Sequence, residues 1–256
     1  MTNTATSSPA LSIDLKRCAR WVAMASMIVV ALGVVREIVI LQIGYDTPLK
    51  EIRHIALDSE LSLPAFYSAL LILSIGLGLL VISRAVRQTQ GRDAGRWAIL
   101  GVIFCLMALD EAASFHESLM MPLRNAFDLT GILYYSWVIP GALGVGVIGA
   151  YFLPFVLRLP RRTAVLFVAA GAAYVGGALG MELVGGALEE SIGKQTAAYS
   201  VSIVVEEGLE IVGLSLFFYA LTDYVGRTWQ TIDLQFASSA ARARASVIDP
   251  VALPAE

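Results

Sequence analysis

The chain has 256 residues, of which 57% are hydrophobic and only 15% charged, whereas an ordinary soluble domain has about 25% charged residues. Its formal net charge of −3 offers no basic surface, which excludes nucleic acid as a partner. The two cysteines, Cys18 and Cys105, fall at different depths of the bundle predicted below, so neither a disulfide framework nor a cysteine-based metal site is expected.

Six apolar runs follow one another along the chain, each long enough to cross the roughly 30 Å hydrocarbon layer as a helix. They cover Trp21–Ile43, Leu61–Ile82, Trp97–Met121, Ile132–Leu157, Thr163–Val184 and Ala197–Leu221. The runs are continuous rather than alternating, which favours helices over a membrane barrel. The sequence therefore predicts an all-α, polytopic membrane helix bundle with six transmembrane helices.

Basic residues are distributed unevenly between the two sides of this predicted bundle. Thirteen lie before the first run, between runs 2 and 3, between runs 4 and 5, or after run 6. Only Lys50, Arg53, Arg124 and Lys194 lie on the other side. Because cytoplasmic connections carry the excess of Lys and Arg, both termini are predicted to be cytoplasmic, as in a multipass protein of the bacterial inner membrane.

The predicted organisation is one transmembrane domain between two tails. The domain covers residues 16–226, and the tails cover residues 1–15 and 227–256. Both tails are rich in small polar residues and alanine and show little periodicity, so they are predicted to be disordered.

Ionisable residues inside the runs are the informative feature, because a charge at the centre of a membrane helix costs at least about 2.5–3.5 kcal/mol. Run 1 contains Arg36 and Glu37, which are predicted charge partners. The other such residues, on runs 3, 5 and 6, are Asp110, Glu111, His116, Glu117, Glu182, Glu206, Glu207 and Glu210. All of them fall in the outer half of the predicted bundle, so they are expected to form one layer.

The composition of this layer predicts a metal site. Eight acids face one arginine and one histidine, so most carboxylates need protons or an added cation. Mixed carboxylate and imidazole ligands suit a divalent metal such as Fe, Mn or Zn. The eight residues from Asp110 to Glu210 are the predicted ligands. His54 and Glu60, in the first outer connection, are predicted to lie on the rim of the site.

Three motifs resemble a family of prokaryotic multipass membrane proteins that is known only as uncharacterised. They are E-x-x-L-P-x-x-Y-S at Glu60 to Ser68, D-E-x-x-S-x-H-E at Asp110 to Glu117, and E-E-x-L-E at Glu206 to Glu210. The resemblance covers the six-run region and not the tails. It implies that the three motifs belong together, and it supplies no activity.

Three functions are compatible with these features. The first is a metal-dependent enzyme that acts on a lipid-like or other small-molecule substrate, in which a spare acid or His116 moves protons. The second is a transporter of protons or divalent cations, although the inner half of the predicted bundle has few polar residues. The third is a non-catalytic membrane interaction protein whose carboxylates are protonated or paired with arginine.

Overall fold

The computed structural model of the chain describes residues 14–45 and 53–229, and within these ranges every regular element is a helix. The α-helices are α1 (Leu15–Ile43), α2 (Leu63–Gln88), α3 (Ala94–Ala113), α4 (Phe115–Ser118), α5 (Met120–Phe127), α6 (Val138–Val156), α7 (Arg161–Val175), α8 (Glu182–Ile192) and α9 (Ala197–Thr228). A π-helical segment, Gly176–Met181, joins α7 to α8, and short 3₁₀ turns occur at Arg53–Ile55 and Gly131–Leu133.

Several of these helices are long and apolar enough to cross a membrane, as the sequence predicts. Four helical stretches qualify: Leu15–Ile43, Leu63–Gln88, Val138–Val156 and Arg161–Ile192. α3 and the following stretch α4–α5 are bent by 65° relative to each other. Counted together as one broken span, they add a fifth. The predicted sixth run lies in α9, which is not among these stretches, so six spans remain a prediction.

The helix starts follow local sequence signals. Asp14 caps α1 by accepting the backbone N–H of Arg17 at 3.1 Å. Ser62 caps α2 in the same way, and Thr196 caps α9. Such caps satisfy backbone donors that have no partner inside the helix. Leu15 and Thr228, which were assigned to the predicted tails, are helical, so the helical region is slightly longer than predicted. Residues 1–13 and 230–256 lie outside the described ranges.

α9 is the central helix, in contact with α1, α2, α7, α8 and the π segment. Gly213 allows α7 to approach closely, since a Cβ atom there would lie 2.6 Å from the backbone nitrogen of Tyr174. A hydroxyl cluster joins three helices: Ser26 Oγ lies 2.6 Å from both the Tyr67 hydroxyl and Ser215 Oγ. Small and hydroxyl-bearing residues are the usual means of holding helices together in lipid.

An apolar and aromatic core fills the half of the bundle nearer the termini. The Trp97 ring stacks on Tyr224 with 5.1 Å between centroids and meets Phe155 edge-on at 4.9 Å. Ile75 and Leu79 of α2 are completely buried in the same core. Such interiors are packed as densely as organic crystals, and the buried side chains of this cluster are apolar or aromatic.

The opposite end of the bundle is formed by Ile43, Ala113 and Ala197, where α1 and α3 end and α9 begins. It is called the acidic end, because the acids of the three motifs lie towards it. The described part of the first connection is buried at one point, since Leu57 is 2% exposed and packs against Gly33. Gly33 precedes the end of α1 by ten residues, or about 15 Å of helix, so this connection enters the bundle.

Candidate acid–base site

The helix that carries the D-E-x-x-S-x-H-E motif breaks within the motif. α3 ends at Ala113, Ser114 adopts a left-handed conformation with φ +52°, and α4 begins at Phe115. The Asp110 side chain stabilises the break, because its Oδ1 accepts the backbone N–H of His116 at 3.0 Å. Its other oxygen, Oδ2, lies 2.8 Å from His116 Nδ1.

This break corrects the sequence prediction at one point. The expectation of one continuous helix over Trp97–Met121 is wrong, because the left-handed residue turns the chain through 65°. Helical periodicity had placed His116 about 120° around the helix from Asp110, and Ser114 and Glu117 on the same face as Asp110. The turn instead brings His116 back onto Asp110.

His116 connects the break to α6 and α8 through an aromatic ring. Its imidazole lies against the Trp137 ring, with 4.6 Å between centroids, and Trp137 Nε1 donates a hydrogen bond to Glu182 Oε1 at 3.1 Å. A cavity of about 380 Å³ adjoins the imidazole. It is lined by Asp110, Phe115, His116, Ser118, Leu119, Trp137, Pro140 and Gly141. The volume lies within the range of small-molecule sites, about 300–1,000 Å³.

The acids of α9 are positioned by close contact with the π segment. A Cβ atom at Gly177 would lie 2.7 Å from the carbonyl oxygen of Glu206 and 2.8 Å from Glu210 Cγ. Only glycine therefore lets the segment pass over α9 at this level. π turns inside helices frequently occur at functional sites, because the extra residue per turn redirects the neighbouring side chains.

Glu206 is a buried acid of α9. It is 8% exposed, and its Oε2 has no hydrogen-bond partner among the described residues. A Cβ atom at Gly185 of α8 would lie 3.8 Å from this oxygen, and Ser202, one turn earlier, donates its hydroxyl to the Tyr199 carbonyl at 2.8 Å. An unpaired buried polar atom costs about 1–3 kcal/mol, so this oxygen needs a proton or another partner.

The remaining acids interact electrostatically across α3, α4 and α9. Glu207 and Glu210 of α9 both repel Glu111 of α3. Glu117 of α4 lies within hydrogen-bonding range of Glu60. The structure thus brings acids of all three motifs into one neighbourhood, and Glu182 joins it through its interactions with Glu206 and Glu117.

The predicted charge partners and rim residues lie apart from this neighbourhood or at its edge. Arg36 Nη1 is 2.5 Å from Glu37 Oε1, and both side chains are nearly buried, so the arginine neutralises an acid of its own helix. His54 and Glu60 are exposed, as expected of a rim. The partner of His54 in the E-x-x-H pattern, Glu51, lies outside the described residues.

The arrangement does not fit a preassembled metal centre. Within residues 14–45 and 53–229, no group of three or more His, Cys, Asp or Glu side chains converges as metal ligands would. Asp110 is occupied on both oxygens by His116, and Glu182 is occupied by Trp137. The predicted Fe, Mn or Zn site accordingly has no support in this geometry.

Sequence reasoning missed the aromatic residues that line the acidic end. Trp137 links His116 to Glu182, and the Tyr135 hydroxyl donates to Glu189 and lies 3.0 Å from the Tyr199 hydroxyl. The signal was the Y-Y-S-W run at residues 134–137, which reads equally well as an aromatic belt at a membrane interface.

A family model described as a domain of unknown function, DUF8692, matches residues 15–224. The chain belongs to this family. The match to DUF8692 spans α1 through most of α9 and includes all three motifs. The predicted resemblance to an uncharacterised family is consistent with it. No curated protein and no solved structure shows a significant match to this DUF8692 chain.

Proposed function

We propose that the chain is a six-span protein of the bacterial inner membrane whose acidic end faces the outside and acts as an acid–base site. α9 supplies the sixth span, since its 32 residues extend about 48 Å. The distribution of basic residues supports cytoplasmic termini and hence an outward acidic end.

The proposal rests on the two hydrogen bonds between Asp110 and His116. Asp110 holds His116 through two groups, the backbone N–H and the ring nitrogen Nδ1. The other ring nitrogen, Nε2, then remains for a molecule in the cavity that His116 lines. A base whose second nitrogen is fixed by a carboxylate is the arrangement expected of a proton-transferring histidine. Nε2 takes a proton from a molecule in the cavity, and Asp110 stabilises the imidazolium that results.

Acidic side chains surround the histidine. Glu111, Glu117 and Glu182 all interact favourably with a positive charge on His116. Glu206, whose Oε2 has no partner among the described residues, is a further buried carboxyl group that interacts with Glu182 and can hold a proton. The acidic end therefore places several proton-binding carboxyl groups around one oriented histidine.

A one-sided site favours an enzyme over a transporter. Beyond the acidic end the bundle is filled by Ile75, Leu79 and the aromatic groups around Trp97. A through-pathway needs polar groups or water along its length, whereas an enzyme needs access from one side only. We therefore assign proton-transfer chemistry on a small or lipid-like molecule that enters from the outer side.

Trp137 gives a direct optical test, because a protonated imidazole quenches an indole that it touches. In proteoliposomes of known orientation, acidifying the outer side should quench part of the tryptophan emission before any protonophore is added. His116→Gln should remove this component, and His54→Gln should retain it. An identical pH response in wild type and His116→Gln, or quenching only from the cytoplasmic side, would refute the proposal.

A further inference from the structure

A second concavity lies between α2 and α3, on the other side of the break from the His116 cavity. Its volume is about 360 Å³. The residues that line it are Leu61, Ala65, Phe66, Ala69, Leu70, Leu73, Cys105, Ala108, Leu109, Glu111 and Ala112. Ten of these eleven side chains carry no charge and no oxygen, and Glu111 is the exception.

The groove has a definite direction along the helices. Four alanines, among them Ala65 and Ala112, leave the space open near the acidic end. At the other end α2 and α3 touch, since a Cβ atom at Gly76 would lie 2.8 Å from Cys105 Sγ. From Ala65 to Leu73 the α2 wall runs about 12 Å, and Leu61 extends it beyond the start of the helix. An extended chain of ten to twelve carbons is roughly 11–14 Å long, because each C–C bond of about 1.5 Å advances the zigzag by only about 1.3 Å.

The one polar side chain of the groove, the carboxyl of Glu111, lies towards its open end. Glu111 interacts with Glu60, Asp110 and Glu117 as like charges and with His116 as its favourable partner. An ammonium group beside Glu111 would offset this repulsion, whereas a carboxylate or phosphate there would add to it. A ligand with an amine head and an apolar chain therefore matches the groove. The amine suits the carboxyl at the open end, and the chain suits the apolar walls.

We propose that this groove binds a single-chain amphiphile with a cationic amine head, the ammonium at Glu111 and the chain directed towards Cys105. The head lies at the level of the acidic end and the chain lies deeper, which is the orientation of an amphiphile in one leaflet. The site does not depend on the role of His116, which faces a different cavity.

The test uses dodecylamine, dodecanol and dodecanoate, which share one chain and differ in head charge. Binding to the purified full-length protein in neutral lipid nanodiscs is measured at pH 7 by isothermal titration, with empty nanodiscs subtracted. Dodecylamine should bind roughly fivefold more tightly than dodecanol, as expected for a partly exposed ion pair. Dodecanoate should bind more weakly than dodecanol.

Two variants separate the head from the chain. Glu111→Gln should abolish the preference for the amine while leaving dodecanol binding unchanged. Ala112→Phe, at an exposed position that tolerates a larger side chain, should fill the groove and weaken both ligands. Equal affinity for amine and alcohol in the wild type overturns the head-group assignment, and undiminished binding to Ala112→Phe overturns the groove. The quenching of Trp137 is measured without added amphiphile and on protein that carries Glu111 and Ala112, so failure here is distinct from failure of the acid–base site.

Discussion

Asp110 and His116 make two contacts at once: one carboxylate oxygen accepts the backbone N–H at 3.0 Å and the other lies 2.8 Å from Nδ1. The first contact replaces a helical hydrogen bond that the left-handed Ser114 has removed. The second fixes the imidazole ring. One side chain therefore ends α3, starts α4 and orients the base, which explains why the break and the proposed site coincide.

Cysteine labelling tests the proposed topology. With Cys18 and Cys105 replaced, Gln88→Cys, at the exposed end of α2, should react with a membrane-impermeant maleimide only after the membrane is opened. Ser191→Cys, exposed near the end of α8, should react in intact cells. External labelling at position 88, or labelling at position 191 only after opening, contradicts cytoplasmic termini.

The contact between Gly177 and α9 predicts a large effect from a single methyl group. Gly177→Ala should lower the free energy of unfolding by about 1–3 kcal/mol, because the new Cβ meets backbone atoms of Glu206 and Glu210 that have no room to move. Gly180→Ala is the matched control in the same π segment, since nothing lies within 4 Å of its Cβ. Thermal unfolding in detergent measures both, and equal stability of the two variants would contradict the described packing.

Glu206→Gln distinguishes a protonated carboxylate from a metal ligand. A glutamine has the shape of a neutral glutamic acid and fills the same space beside Gly185 and Ser202. If protons occupy the site, Glu206→Gln and Glu210→Gln should unfold at the same temperature as wild type or higher. Elemental analysis accompanies the measurement. Loss of a stoichiometric metal together with a lower unfolding temperature would restore the predicted metal site, since a ligand bound only to the folded state stabilises it.

The end of the bundle opposite the acidic end should confer acid sensitivity through Asp93. Arg158 bonds both of its oxygens, at 3.0 and 2.8 Å, and this hydrogen bonding, followed by that of Arg96, lowers the pKa of Asp93 below its usual 3.8. A lowered folded-state pKa stabilises the protein above the unfolded-state value, and this stabilisation is lost as the pH falls below about 3.8. Because the site is near solvent, the effect is at most about 1 kcal/mol.

Asp93→Asn should remove this contribution and flatten the stability profile between about pH 5 and 3. Asparagine tolerates the left-handed backbone at this position, φ +69°, so the substitution changes the charge and not the fold. Asp128→Asn, at another left-handed position with φ +54°, is the control and should keep the wild-type profile. The free energy of unfolding, measured by denaturation at several pH values, tests this prediction. The same pH dependence in Asp93→Asn as in the wild type would contradict the ion pair.

Much of the architecture was predictable because two physical effects dominate membrane helices: the need to satisfy the backbone within the helix and the cost of a charge in hydrocarbon. Apolar length alone located α1, α2, α6 and the α7–α8 stretch, since a helix in lipid must satisfy its own backbone. The cost of a charge in hydrocarbon also led to the prediction that the acids of the spans face protein, which Glu206 does at 8% exposed while the Asp110 side chain is 39% exposed. In the structure these acids belong to one neighbourhood, which rests on burial cost rather than on any motif.

The parts that could not be predicted depend on single side chains acting on the backbone. Periodicity assumes a continuous helix, so it fails where Asp110 captures the N–H of His116 and Ser114 turns left-handed. The π segment follows from close approach at Gly177, which one sequence cannot distinguish from ordinary small-residue packing. The burial of Leu57 is likewise set by the pocket that Gly33 leaves, and a short polar connection gives no sign of it.

Nitrogen NMR on selectively labelled histidine tests the central claim most directly, because the chain contains only two histidines, His54 and His116. Where the imidazole is neutral, the account predicts that His116 carries its proton on Nδ1, bonded to Asp110, with an unprotonated Nε2. Asp110→Asn should then redistribute the proton towards Nε2, and His54 should be unchanged. A proton on Nε2 in the wild type, or a tautomer that Asp110→Asn leaves unaltered, would contradict an oriented base at the acidic end.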